Sequence, residues 1–344
     1  MKWIKIAVVG LISIPVITFV LFQIPQVQDT LFRIVAPRAM NVDFGESENL
    51  RVFVCGTASP LGNTPDRAQA CIAIITPEHF YVFDAGAGSA ARLLGGGLPL
   101  ARLDGVFLTH FHSDHISDLP GMALNSWVLG RATPLTVFGP RGINQIIEGL
   151  NTAYHLDRSY RTAHHGADFM PLELGDLQGA HFEPGAVLEL DGLKITSFMV
   201  EHNPISPAVG YRIDYRGRSV VISGDSIVSA GTFEVAQGTD LLIHDALSQD
   251  AIRPLIDTAD ALGRDRTAKI MRDVVDYHAD VKSLEAASRQ ANVGQLVLYH
   301  MVPTPVNPLL LKIWNRNLAD TTIMAEDNML FELPVGNKTI RVQP

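Results

Sequence analysis

The stretch LTHFHSDHISD, residues 108–118, constrains this chain more than any other. It follows the apolar run LDGVF and sets His110, His112, Asp114, His115 and Asp118 within nine residues. A short buried strand that ends in such a cluster brings its titratable side chains to one place. Strand side chains alternate between faces, so His110 and His112 point the same way. The turn beyond them bends Asp114 and His115 towards a second position nearby. Imidazole and carboxylate donors of this kind suit zinc, and iron or manganese take the same donor types. Four such residues call for partners from elsewhere in the chain, and for a fold that delivers them.

The rest of the globular part reads as such a fold. Short apolar runs ending in polar residues alternate with segments of helical period, which indicates an α/β layered protein. GLKITSFMV, AVGYRIDY, RSVVISGD, TDLLIHDA and GQLVLYH read as strands of the second half. SAARLLGG, RTAKIMRDVVDYH, KSLEAASRQA and NPLLLKIWNRNLA read as helices. His202, Asp225 and His300 each stand at or just beyond the polar end of a strand, with Gly224 allowing a tight turn before Asp225. Open α/β sheets collect their ligands at strand C-termini. A lone histidine there would be a satisfied core residue; a cluster that needs partners changes that reading.

One helix is expected from about Ile143 to Tyr154. Residues 154–184 are polar and turn-rich, and read as an irregular binding loop or a surface insertion. Tyr154, His155, Arg158, Tyr160, Arg161, His164 and His165 cluster there. Such groups can contact phosphates and stack bases, line a pocket for one anionic ester, or form a solvated loop.

The chain has 344 residues and is 47% hydrophobic, ample for a large core. Its net charge of -9 means that a nucleic acid would need a local basic patch. The two cysteines, Cys55 and Cys71, form no CxxC, so a thiolate zinc site is not available. Two buried thiols and a disulfide both remain open.

The start, MKWIKIAVVGLISIPVITFVLFQIP, sets two lysines before an apolar run from Ile6 to Ile24. The run exceeds a signal-peptide core of about 7–15 residues and approaches the roughly 20 that span a bilayer. The expectation is a signal anchor or signal peptide over 1–25, a connector over 26–48 that meets the membrane surface, and a catalytic domain over 49–344. That domain would be membrane-anchored and exported, to the periplasm or outside the cell, or else secreted after cleavage.

HFHSDH resembles the HxHxDH signature of the metallo-β-lactamase fold superfamily. CGTASPLGNTPDRAQAC, YVFDAGAG, DHISDLPG, EHNPISPAVGYRIDY and VVISGDS extend the resemblance to the ribonuclease Z and arylsulfatase-like branch, from about Arg51 to His300. The resemblance implies an αββα sandwich of two similar halves, with two divalent metal ions, zinc above all, at one edge. It implies that His110, His112 and His202 hold the first metal, that Asp114, His115 and His300 hold the second, and that Asp225 bridges both. Asp84 would support the site from behind by orienting a ligand histidine. Two metals about 3.5–4 Å apart can share a hydroxide at neutral pH and clamp the substrate oxygens. His278, in DYHADVKSLEAA, resembles the family histidine that assists the leaving group, although Ala-Asp follows it where Ser-Thr is usual. Asp245, in LLIHDA, matches the acidic position of the family's HEA element and would orient His278. A histidine at a helix C-terminus is the plainer reading of His278.

The expected activity is hydrolysis of a small anionic phosphate or sulfate ester, arylsulfatase-like. Export favours it. So does GYRIDYRGRSVVISGD, which leaves no room for the arm that ribonuclease Z inserts after GYRI to grip tRNA. The alternative is a phosphodiesterase of ribonuclease Z type that processes tRNA 3′ ends. A β-lactamase or lactonase ranks below both, because VEHNPISPAVGYR is unlike the lactamase motif. A spent, non-catalytic fold would have lost ligands, and all seven are present. Many relatives of this kind are dimers, so a second copy of the chain is an expected partner.

Overall fold

The computed structural model describes residue 19 and residues 21–40, 44–61, 64 and 66–343. The chain divides into two units, residues 1–45 and 46–344. In the first, helix α1 (Pro25–Met40) occupies part of the expected connector and exposes Phe32, Ile34 and Val35. Most of the apolar run from Ile6 to Ile24 lies outside the described residues. Among the described residues no helix is long and apolar enough to cross a membrane.

The second unit carries two sheets. Strands β1 (Leu50–Gly56), β2 (Cys71–Ile75), β3 (Phe80–Phe83), β4 (Gly105–Phe107), β5 (Leu135–Gly139) and β6 (Leu177–His181) lie side by side in that order. The other sheet runs, in reverse spatial order, from β7 (Val187–Leu190) through β8 (Leu193–His202), β9 (Ile205–Tyr215), β10 (Arg218–Ile222), β11 (Leu241–Leu247) and β12 (Gln295–Val302) to β13 (Thr322–Met324). Strands β14 (Leu330–Leu333) and β15 (Arg341–Gln343) extend the first sheet beyond β1, making it eight-stranded.

Period-two alternation explains the layers. Val220, Ile222, Leu241, Ile243, Val297 and Tyr299 point into one core together with Val52, Ile72, Phe83 and Phe107 of the first sheet. Val221, Leu242, Leu296 and Leu298, one residue out of phase, face a second core with Phe233, Leu284 and Trp314. β10, β11 and β12 are thus apolar on both faces and pair in parallel, as buried parallel strands do. In chain order the remaining helices are α2 (Ser89–Gly95), α3 (Ser113–Ile116), α4 (Leu119–Val128), α5 (Ile143–His165), α6 (Ala230–Val235), α7 (Gln249–Ala261), α8 (Asp265–Asp273), α9 (Val281–Gln290) and α10 (Pro308–Trp314).

Two local expectations are resolved here. Cys55 and Cys71, on the neighbouring strands β1 and β2, form a disulfide with a Cα–Cα separation of 4.9 Å. The loop expected from residue 154 is instead the second half of α5, which runs to His165 and stops at Gly166. No glycine or proline interrupts residues 150–165, and Asp157 pairs with Arg161 one turn on. Beyond it the expected irregular segment holds β6. Arg158 is buried, pairs with Asp176 at 2.6 Å and donates to the Asn151 carbonyl at 2.9 Å. Tyr154, Tyr160, His164 and His165 are exposed and Arg161 is half-buried; Tyr154 lies beside Arg158 and Trp127.

Candidate metal centre

The chain leaves β4 at Phe107 and bends at Thr109; His110 follows, and His112, in extended backbone, precedes α3, which opens with Ser113 and Asp114. The other sheet contributes through irregularities in its ladders. The β8–β9 register shifts between Val200 and His202. The β11–β12 register skips His300, whose φ of 43° lies in the left-handed region. Bulges re-aim side chains, and strained backbone collects at functional sites. Gly224, with φ of 64°, makes the turn from β10 to Asp225; a Cβ there would lie 2.8 Å from Thr109 Cβ and 3.0 Å from the Val209 carbonyl oxygen. The expected tight turn therefore requires glycine.

These turns gather seven side chains. His110, His112, His202 and Asp225 form one group, and Asp114, His115, Asp225 and His300 a second; within each, the donor atoms all lie within 4.8 Å of one another. Asp225 belongs to both. His110 Nε2 is 2.9 Å from His112 Nδ1, which is 3.4 Å from His202 Nε2. His115 Nε2 is 3.3 Å from Asp225 Oδ2, and His300 Nε2 is 2.9 Å from Asp114 Oδ2. All are buried except His112, which is half-exposed.

Further groups hold the imidazoles from behind. Asp84, itself at φ of 60°, accepts from His115 Nδ1 at 2.8 Å and from the Thr109 hydroxyl at 2.9 Å. Thr109 Oγ1 in turn lies 3.0 Å from His110 Nδ1. Asp84 thus orients one histidine directly and a second through Thr109. The Tyr277 carbonyl accepts from His202 Nδ1 at 3.1 Å. In each case the outer nitrogen is occupied and the inner one is turned to the centre, the arrangement expected around a metal. Thr109 and Tyr277 were absent from the expected set. A hydroxyl next to the first histidine and an aromatic residue before His278 were the available signals. Asp118 belongs elsewhere: its carboxylate accepts from the Ala90 amide at the start of α2.

His115 Nε2, His300 Nδ1 and Asp225 Oδ1 are buried and have no hydrogen-bond partner. Leaving such atoms bare costs about 1–3 kcal/mol each, and a divalent cation at the centre would satisfy all three. The charges agree. Burial, reinforced by neighbouring histidines, holds His110 well below the usual imidazole range, the form that donates a lone pair. Burial opposes ionisation of Asp114 too, but His115 and His300 outweigh it and bring its pKa to about 2. Burial disfavours charge on His115, yet Asp225, Asp84 and Asp114 push it well above the usual range. The three carboxylates thus favour positive charge where its inner nitrogen lies. The donor set is imidazole and carboxylate, as divalent zinc prefers.

Beside the centre opens a cavity of about 220 Å³, lined by His112, Asp114, Asp225, His278 and His300 on one side and by Leu61, Val274, Tyr277 and Val302 on the other. His278 follows a 3-10 turn and precedes α9; it does not end a helix. Its Nδ1 is 2.8 Å from Asp245 Oδ2. Asp245 is fully buried and does not line the cavity.

Comparison with known proteins agrees with this geometry. Residues 79–301 match the family model of the beta-lactamase superfamily domain. Ribonuclease Z of Mycobacterium bovis is 31% identical over 300 residues, 86% of this chain and 98% of the relative. Ribonuclease Z of Mycobacterium avium is 32% identical over 260 residues, 75% of this chain and 88% of the relative. Among solved structures, the metallo-beta-lactamase fold protein YhfI from Bacillus subtilis superposes with a TM-score of 0.59 at 20% identity, covering 83% of this chain and 99% of its own. Human tRNase Z, short form, does so with a TM-score of 0.57 at 20% identity, over 83% and 99%. These relatives, ribonuclease Z proteins matched over nearly their whole length, overturn the expectation of a membrane-anchored, exported catalytic domain. The chain belongs to the metallo-β-lactamase superfamily, in the branch of its ribonuclease Z relatives, and is a metal-dependent hydrolase of ester bonds.

Proposed function

We propose that the chain is a phosphodiesterase of ribonuclease Z type that cleaves RNA, with precursor tRNA as its substrate class. The observation that carries this reading is its 31% identity to a ribonuclease Z of which it covers 98%. The small sulfate or phosphate ester gives way as the main expectation.

In this reading His110, His112 and His202 hold one divalent ion, Asp114, His115 and His300 a second, and Asp225 both. Zinc is the ion that the donor set favours. Bound there, the ions supply Lewis acidity toward the phosphoryl group and a nucleophile at neutral pH. Asp84, Thr109 and the Tyr277 carbonyl keep the imidazoles in the tautomer that donates inward. His278 protonates the departing oxygen: Asp245 occupies Nδ1, which leaves Nε2 as the nitrogen available to the cavity. Asp245 acts only through His278. None of the described residues lining the cavity is lysine or arginine.

A second reading keeps the chemistry and shortens the substrate. β9 turns into β10 through Arg216 and Gly217 alone, both at positive φ, a two-residue hairpin with no extension to grip a large RNA. That favours a small phosphodiester. Incubating the zinc-loaded chain with a labelled precursor tRNA bearing a 3′ trailer separates the two. Chelator-sensitive endonucleolytic release of the trailer is expected. Hydrolysis of bis(4-nitrophenyl) phosphate with an intact precursor would reject the RNA reading and leave the small diester.

A further inference from the structure

His244 has no role in the mechanism above, yet it is fully buried beside the group that orients His278. Its Nδ1 lies 2.9 Å from Asp245 Oδ1 and 2.9 Å from the Asp245 carbonyl oxygen. Two acceptors at one nitrogen place the proton on Nδ1. The other nitrogen, Nε2, is buried with no hydrogen-bond partner. The ring stacks on Phe233, with centroids 6.1 Å apart and planes 14° from parallel. Packing alone would favour an apolar ring here, which strands no nitrogen. What a histidine adds at this position is the bond to Asp245.

That bond matters because of how Asp245 is held. Its Oδ2 accepts from His278 Nδ1 at 2.8 Å and from the Ala279 amide at 3.3 Å. Its Oδ1 accepts from His244 and, at 3.2 Å, from the Ser226 amide. Rotation of a carboxylate about its last torsion is soft. Without His244, Oδ1 keeps only the longer amide bond, and the plane of the group is free to turn away from His278.

We propose that His244 is a positioning residue: its Nδ1–H pins Asp245 Oδ1 so that Oδ2 fixes the ring and tautomer of His278, with Nε2 presented to the cavity. The proposal rests on the reading of His278 as proton donor. It predicts an effect that depends on the leaving group, because a poor leaving group needs the proton more.

The test uses the full zinc-loaded chain and two esters of thymidine 5′-phosphate, the 4-nitrophenyl ester and the more basic phenyl ester. His278→Ala should lower kcat on the phenyl ester by about a hundredfold or more, and less on the nitrophenyl ester. His244→Phe should lower kcat on the phenyl ester by at least about tenfold, with KM and zinc content unchanged and a smaller loss on the nitrophenyl ester. His244→Asn, whose amide N–H can take the place of Nδ1–H, should restore most of it. The double variant should be no slower than His278→Ala. If His278→Ala changes nothing, the proton-donor reading itself fails. If His278→Ala is slow but His244→Phe is not, the role of His244 is rejected. Equal losses on both esters, or additive losses in the double variant, would reject it too and leave His244 a structural residue. Should His244→Phe fail to fold, His244→Met carries the same comparison.

Discussion

Two buried carboxylates flank β10, and they are built oppositely. Near its start, Asp240 is 7% exposed and has every partner it needs: Arg218 Nε at 3.1 Å and the Ser219 amide at 2.9 Å on one oxygen, Lys338 Nζ at 2.9 Å on the other. Arg218 in turn donates to the carbonyls of Pro334, Asn337 and Thr339. Beyond its far end, Asp225 is 2% exposed and keeps one oxygen without a hydrogen bond. Around it stand four histidines whose inner nitrogens lie at 3.3–3.9 Å. Burial raises both carboxyl groups. Lys338, Ser219 and Arg218 reverse this at Asp240, and His300 and His115 reverse it at Asp225. A satisfied buried charge is architecture; one held short of satisfaction is poised for something that arrives from solvent.

The largest test of this contrast is Asp225→Ala. It should cost activity more than about a thousandfold, comparable to or beyond the loss of an oxyanion-hole donor, and lower bound zinc measured by elemental analysis. In chelator-treated protein its effect on thermal stability should be small. A fully active Asp225→Ala would remove the bridging role. Asp240→Ala should do the reverse. Leaving Arg218 buried without its partner costs about 3–5 kcal/mol, read from urea unfolding, while zinc content and activity of the folded protein stay unchanged. Because the folded pKa of Asp240 is depressed, its contribution is present above the unfolded value of about 4 and lost as pH falls through the folded one. The stability gap between the parent and Asp240→Asn should therefore narrow below about pH 4; a constant gap would mean that Asp240 contributes shape rather than charge.

Metal removal sharpens the comparison at a lower level. Saturating zinc should raise stability over the chelated protein by about 3–4 kcal/mol for each ion bound, taking free zinc at 100–1,000 times its dissociation constant. The increment should be the same in Asp240→Asn, since separated sites add. An increment that collapses in this variant would couple the two ends. Thr109→Val, which breaks the relay from Asp84 to His110, should weaken zinc binding or activity about 10–100-fold, measured by chelator competition. At the small end, Arg161→Ala loses only an exposed pair with Asp157 and should change stability by at most about 0.5 kcal/mol. An effect on precursor-tRNA binding but not on stability would give α5 a role in holding RNA.

The amino-acid sequence by itself determined the sheet alternation and the seven side chains that the fold gathers at one place. Both are local signals: a two-residue period carries strands, and polar residues at strand ends carry ligands. What the tertiary structure decided depends on partners far apart in the chain. It paired Cys55 with Cys71 across two strands, and it carried α5 on to His165, where the residues from 154 had read as loop. It buried Arg158 against Asp176. It brought Thr109, Tyr277 and His244 to their places behind the site, 25, 75 and 34 residues from Asp84, His202 and His278 respectively. Composition and periodicity record which faces are apolar. Which nitrogen of a histidine is held, and by what, is settled only when the strands are assembled, because a hydrogen bond depends on distances that close across the fold.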